Sequence, residues 1–413
     1  MPDTLHPYTL NPYTLKPPMR DPRLDALARV LTEYATALEP GQLVRLSADP
    51  IAQPLIEALY EAALARGAHP HVRLVPDSIQ EHFLAHANDT QLEYVSPLAQ
   101  HEIETIDATI GVWAETNTKA LSGVDPARQG KASAARRPIM ERFMQRAADG
   151  ELKWCGTLFP TPASAQDAEM SLREYEDFVF AAGLLDHDDP VASWRAIERK
   201  QQLVCDYLQG KKELRFRAEG GSGGGTDLTV NVEGMTWINC CGKENFPDGE
   251  VFTGPNLDAP DGGVNGVVCY SFPAVHHGRE VHDIELTFEK GRVVDAKASK
   301  GLDFLTAMLD QDDRARYLGE IAVGTNYQVQ RYTKNTLFDE KIGGTFHAAV
   351  GSGYPETGNT NSSGLHWDMV CDLRPRKGDD GEPLAGTGGT IEADGEVFSR
   401  DGRFVFDGWP GPA

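Results

Sequence analysis

Four segments of the chain place carboxylates and imidazoles among apolar residues or glycines, where charge is tolerated only if it is paired or coordinated. The first is Phe246-Pro247-Asp248-Gly249-Glu250-Val251-Phe252. Its Pro-Asp-Gly predicts a turn and leaves Glu250 at the start of a short apolar run. The second sets Glu320 between Leu318-Gly319 and Ile321-Ala322-Val323. In the third, Phe338 to Tyr354, seven residues separate Glu340 from His347 and seven more separate His347 from Tyr354. A helix there would align His347 with Tyr354. Gly343, Gly344, Gly351 and Gly353 oppose a long regular helix and favour close backbone packing instead. The fourth, Leu365-His366-Trp367-Asp368-Met369-Val370-Cys371, has a strand pattern. It would point His366 and Asp368 one way and send Leu365, Trp367 and Met369 into the opposite layer.

The set comprises Glu250, Glu320, Glu340, Asp368, His347, His366 and Tyr354, with no ligand cysteine. Two divalent metal ions about 3.5–4 Å apart, sharing a carboxylate, could be held by such residues. Oxygen and imidazole donors suit zinc, cobalt or manganese better than copper or thiolate-bound zinc. Separate buried salt bridges and satisfied core histidines are made of the same residue types, so at this point both readings stand.

Three other patterns suggest chemistry and do not carry it. Gly220-Gly221-Ser222-Gly223-Gly224-Gly225 resembles a phosphate-cradling loop, but a strand pattern follows where a helix N-terminus is required. His82 and His86 have the spacing of a metal clamp on a helix without the glutamate of a metalloprotease motif, so a solvated helix face is expected. His276-His277 precedes Gly278 in a turn between strands and should be exposed.

The elements that must position the four segments fall into two textures. From Met19, a helical face of Leu24, Leu27, Ala28, Leu31 and Tyr34 stops at Pro40-Gly41. QLVRLSA, a helix ending at Gly67, and HPHVRLVPD then form a strand–helix–strand unit. Strands ATIGVWAE and KWCGTLF and the helix RRPIMERFMQRAAD continue that texture, while QLEYVSPLAQ has no clear period. Beyond about residue 215, Gly-punctuated strands dominate, among them GTIEADGEVFSRDGRFVF with Asp-Gly turns at 394–395 and 401–402. The expected organisation is a Pro/Tyr-rich extended tail (1–18), an α/β N-terminal domain (19–215) and a β-rich α+β C-terminal catalytic domain (216–413).

Composition limits the partners. With 39 Lys+Arg against 62 Asp+Glu the net charge is −23, which opposes nucleic acid or an anionic membrane as the main partner. The 40% hydrophobic and 24% charged content is that of a globular chain. The chain has no run of about 18 apolar residues and no secretory pattern at its start, so a transmembrane or exported protein is not expected. Six cysteines without a CxxC read as reduced, mostly buried thiols, and a cytoplasmic location is expected.

The segments GEVFTGP, RYLGEIAVGTN, TLFDEKIGGTFHAAVGSGYPETG and NSSGLHWDMVCDL resemble the metalloaminopeptidases that include aminopeptidase T and aminopeptidase S. RLDALARVLTEYA, PGQLV and GTDLTV add to a resemblance spanning about residues 19–407. It implies metal ligands at Glu250, Glu320, Glu340, His347, His366 and Asp368, with Glu320 as the bridge, and an active-site tyrosine at Tyr354. It further implies removal of the N-terminal residue from peptides by a metal-activated water, with Tyr354 and Glu320 catalytic. Two divalent ions per chain (zinc, cobalt, manganese or magnesium) and a homodimer whose sites face an enclosed interior are also implied. The alternatives are a two-metal amidase or dipeptidase, or a metal-binding relative without activity. The tail before Met19 and residues 375–388, read as an added surface loop, depart from the family pattern.

Overall fold

Alternating burial along Leu43–Ala48 is what a strand with one covered face requires, and Asp21 caps the helix Pro22–Val30 through Arg23 N. These elements belong to a computed structural model that describes residues 20–219, 225–276, 278–378, 381–384 and 386–412. The tail 1–18 and most of the Gly220–Gly225 stretch lie outside the described residues, as does part of the 375–388 loop.

Strand Leu43–Ala48, helix Gln53–Ala65 and strand His69–Leu74 form the expected parallel unit, closed by Gly67 at φ +74°. Ala108–Trp113, Lys153–Leu158 and the short strand Asn245–Phe246 extend the sheet, all parallel. The unassigned QLEYVSPLAQ lies across two short helices, Asp89–Leu92 and Pro97–Thr105, started by Asn88 and Ser96. Their brevity explains why no period was visible.

The second half is antiparallel. An eight-stranded sheet includes Glu213–Ala218, Thr226–Asn231 and the strands Gly389–Ala393 and Glu396–Arg400. The latter pair turns through Asp394 and Gly395, both at positive φ, as its Asp-Gly predicts. A five-stranded sheet has the order His366–Asp372, Thr345–Gly351, Leu318–Gly324, Glu250–Thr253, Ile238–Cys240. Its Phe346, Ala348, Trp367, Met369 and Cys371 share one apolar core with Leu214, Phe216 and Val230 of the larger sheet. The Phe216 and Phe346 rings meet at 4.5 Å. The chain thus has an α/β front half and a β-rich α+β second half.

The two textures are joined through packing. Phe246, Val329, Leu337, Phe338 and Ile342 belong to the core of the parallel-sheet half. Phe338 packs edge-on against Phe178 and Tyr175 of helix Leu172–Ala182. The outer face of the five-stranded sheet is consequently covered as well, and its three central strands are buried along most of their length.

The cysteines are free, and all but Cys240 are buried. His82 and His86 sit on helix Asp77–His86 with exposed side chains. His276 departs from the expected exposure: at the end of a two-stranded hairpin it is half-buried, its ring stacked 5.0 Å from Trp367. No helix among the described residues is long and apolar enough to cross a membrane.

Candidate metal centre

Strand periodicity places the predicted residues. Glu320 alternates with Ile321, His347 with Phe346 and Ala348, and His366 and Asp368 with Trp367 and Met369. The apolar members enter the shared core, which turns the polar members onto the other face. Glu250 lies on a neighbouring strand, opposite Gly324. The stretch around His347 is therefore a strand and not a helix; β-sheet pairing on both sides overrides the seven-residue spacing. Tyr354 comes beyond the strand end, its ring 5.2 Å from His366 and 5.4 Å from Phe252.

Two glycines let the backbones close around the site. The pairing of Leu318–Gly324 with Thr345–Gly351 slips between Leu318 and Glu320, a bulge at Gly319 that re-aims Glu320. A Cβ on Gly319 would lie 2.4 Å from Ser352 O, and one on Gly351, at φ +100°, 2.1 Å from Leu365 O.

The ligand atoms converge in two groups, Glu250–Glu340–His347 and Glu320–His347–Asp368, each with its atoms within 4.8 Å of one another. His347 is common to both. Its Nε2 donates to Glu320 Oε1 at 3.1 Å and lies 3.4 Å from Glu250 Oε2. His366 Nε2 lies 3.2 Å from Asp368 Oδ2 and 3.7 Å from Glu320 Oε2, while its Nδ1 donates to Ser352 O at 2.8 Å. That backbone contact fixes the tautomer that leaves Nε2 for the site, the arrangement typical of a ligand imidazole.

Known sequences and folds agree with the geometry. The family described as "Thermophilic metalloprotease (M29)" matches residues 20–396. This chain belongs to the M29 family. Aminopeptidase T of Thermus aquaticus is 30% identical over 369 residues, covering 83% of this chain and 87% of that protein. Aminopeptidase 2 of Geobacillus stearothermophilus is 29% identical over 358 residues, covering 80% and 84%. The solved structure titled wild-type AmpT from Thermus thermophilus superposes with a TM-score of 0.77 at 25% identity, over 93% of this chain and 99% of that one.

Orphaned polar atoms test whether a cation fits this M29 chain. Glu250 Oε2, Asp368 Oδ1 and His347 Nδ1 are buried without a hydrogen-bond partner. Unsatisfied buried carboxylate oxygens are costly and are explained by a cation that receives them. The electrostatics agree. Burial drives the Glu320 and Glu340 carboxyls up, and neighbouring Asp368 adds to this. Asp368 itself, against the effect of burial, is held well below the usual range by His366. Burial pulls His347 and His366 down, but the surrounding carboxylates overcome it and raise them to about 9 and about 10. So much negative charge demands a positive counterpart, supplied either by protons on the imidazoles or by a divalent cation that displaces them.

Two residues of the centre were not singled out by sequence reasoning. Lys341 is 3% exposed, with Nζ 2.7 Å from Glu250 Oε1 and 3.0 Å from Glu340 Oε2. Asp248, buried beside it at 3.9 Å, accepts from Gly242 N and Gly249 N. Burial pushes Asp248 up to about 7. Burial would also lower the Lys341 ammonium, yet Glu250, Glu340 and Asp248 hold it well above its ordinary value. Both residues lie inside the quoted segments; a buried lysine next to a glutamate looks, in sequence, like an ordinary surface pair.

Proposed function

We propose that this chain is a metal-dependent aminopeptidase that removes the N-terminal residue from peptides at a dinuclear site. The observation that carries this is the pair of ligand groups sharing His347, in a chain whose relatives are named aminopeptidases. Glu250, Glu320, Glu340, His347, His366 and Asp368 would hold the ions, with zinc, cobalt, manganese or magnesium as the metal. Divalent cations supply Lewis-acid polarisation of a peptide carbonyl and a nucleophile at neutral pH.

The chain's own groups do the rest. The acidic set receives the substrate's α-ammonium, and one of its carboxylates carries a proton to the leaving amine. His366 and Tyr354 lie toward the open side, 27% and 38% exposed, so a peptide terminus enters past their rings. Tyr354 donates a hydrogen bond to the developing oxyanion; burial and the Glu320 and Asp368 carboxylates push its own pKa far up, which keeps it a donor. The same reading divides the chain near residue 215 into an α/β unit and a catalytic unit, and makes the protein a cytoplasmic homodimer.

Metal content measured with hydrolysis of leucine and arginine p-nitroanilides, before and after chelation and cobalt add-back, tests the proposal. About two ions per chain are expected. Turnover should vanish and return while the far-UV circular dichroism stays unchanged. Loss of the fold on chelation would make the ions structural. Equal cleavage of an N-acetylated peptide would identify an amidase. Tyr354→Phe is expected to keep its metal and lose about 10²-fold in kcat; an unchanged kcat would remove Tyr354 from the mechanism.

A further inference from the structure

The hydrolysis outlined above makes no use of the Lys341 ammonium, although it lies at the heart of the centre. Its position is rigidly set. Lys341 N donates to Phe338 O and Lys341 O accepts from Asn326 N, both at 3.0 Å. Asn326 is in turn anchored through Nδ2 to Ala182 O at 3.0 Å and to Asp248 O at 2.8 Å. Phe338, which precedes Lys341, is wedged against Phe178 and Tyr175. The ammonium is thus delivered from the seam between the two halves of the molecule and is held there by Glu250 and Glu340.

Its contacts divide the oxygens of two glutamates. Glu250 gives Oε1 to Lys341, while its Oε2 has no hydrogen bond and faces His347. Glu340 gives Oε2 to Lys341. A free carboxylate can chelate a cation with both oxygens, which fills coordination positions that a catalytic metal must keep open. We propose that Lys341 is a positioning residue that occupies one oxygen of Glu250 and one of Glu340, so that each glutamate offers a cation a single oxygen and the metals keep a low coordination number. This rests on the reading of the cluster as a divalent-cation site.

The test compares wild type and Lys341→Met by titration with Co(II), followed by visible absorption and calorimetry. In Lys341→Met the released oxygens should chelate. The molar absorption of bound cobalt is then expected to fall about twofold or more as coordination number rises. Cobalt should also bind about tenfold tighter, because a competing positive charge has gone. A wild-type spectrum in the folded, cobalt-loaded variant would overturn the proposal. No cobalt uptake by the wild type would overturn the metal reading and this proposal together. If Lys341→Met does not fold, X-ray absorption of the cobalt-loaded wild type decides. About five oxygen and nitrogen donors without a chelating carboxylate support the proposal, and about six with one overturn it.

Discussion

Replacing His347 by alanine is expected to lower kcat/KM by about 10³-fold or more, equivalent to about 4 kcal/mol of transition-state stabilisation, and to lower the metal content. The size of the effect follows from geometry. The imidazole lies where the two converging groups of carboxylates meet, so its single Nε2 lone pair is a ligand that no neighbouring side chain replaces. Its loss also removes the donor to Glu320 Oε1 at 3.1 Å and the imidazole 3.4 Å from Glu250 Oε2. The side chain is fully buried on a strand paired on both edges, so the backbone should hold and the damage should be chemical. Metal analysis and kinetics on the same sample check this. A variant that retains its metal and its turnover would show that His347 is a satisfied core histidine, the bland reading that spacing alone left open.

Trp194→Ala is expected to cost about 3–5 kcal/mol of stability, seen as a lower urea midpoint at unchanged m-value. Trp194 is fully buried on helix Pro190–Leu208, 5.0 Å from the Phe246 ring. Its Nε1 donates to Gly183 O at 2.8 Å, so the truncation leaves an unpartnered carbonyl as well as a void. The neighbouring backbone is already tight: a Cβ on Gly242 would lie 3.0 Å from the indole. Phe246 leads directly through Pro247, Asp248 and Gly249 to Glu250, so the void also loosens the arm that carries a ligand. Weaker metal binding should accompany the lost stability. A loss below about 1 kcal/mol would mean that the site collapses around the gap and that this contact does not hold the arm.

Much of the local structure was legible because it depends on neighbours in the chain. Alternation along the segment from Leu365 predicts that Leu365, Trp367 and Met369 enter the core, and all three are there. The strand–helix–strand unit of Leu43–Leu74 and the Asp394-Gly395 turn were equally readable, from period and turn chemistry. The His347 stretch was not, because seven-residue spacing is shared by a helix and by chance. The decision lay with hydrogen bonds to Leu318–Gly324 and His366–Asp372, which no local pattern encodes.

The inventory is a matter of sequence: which residue types are available for chemistry, that they sit in apolar surroundings, and which family they resemble. Charge and composition likewise need no coordinates, since they are sums over residues. Tertiary structure alone decided what each of those groups faces. Glu250 and Asp368 are far apart in the chain, and they come to one patch because antiparallel pairing brings their strands into one sheet. The bulge at Gly319 aims Glu320, and the contact of Ser352 O fixes the ring of His366. Lys341 shows the division most clearly. Its pairing with Glu250 and Glu340 depends on the seam between the two cores, and an ion pair buried in that way is a property of the fold.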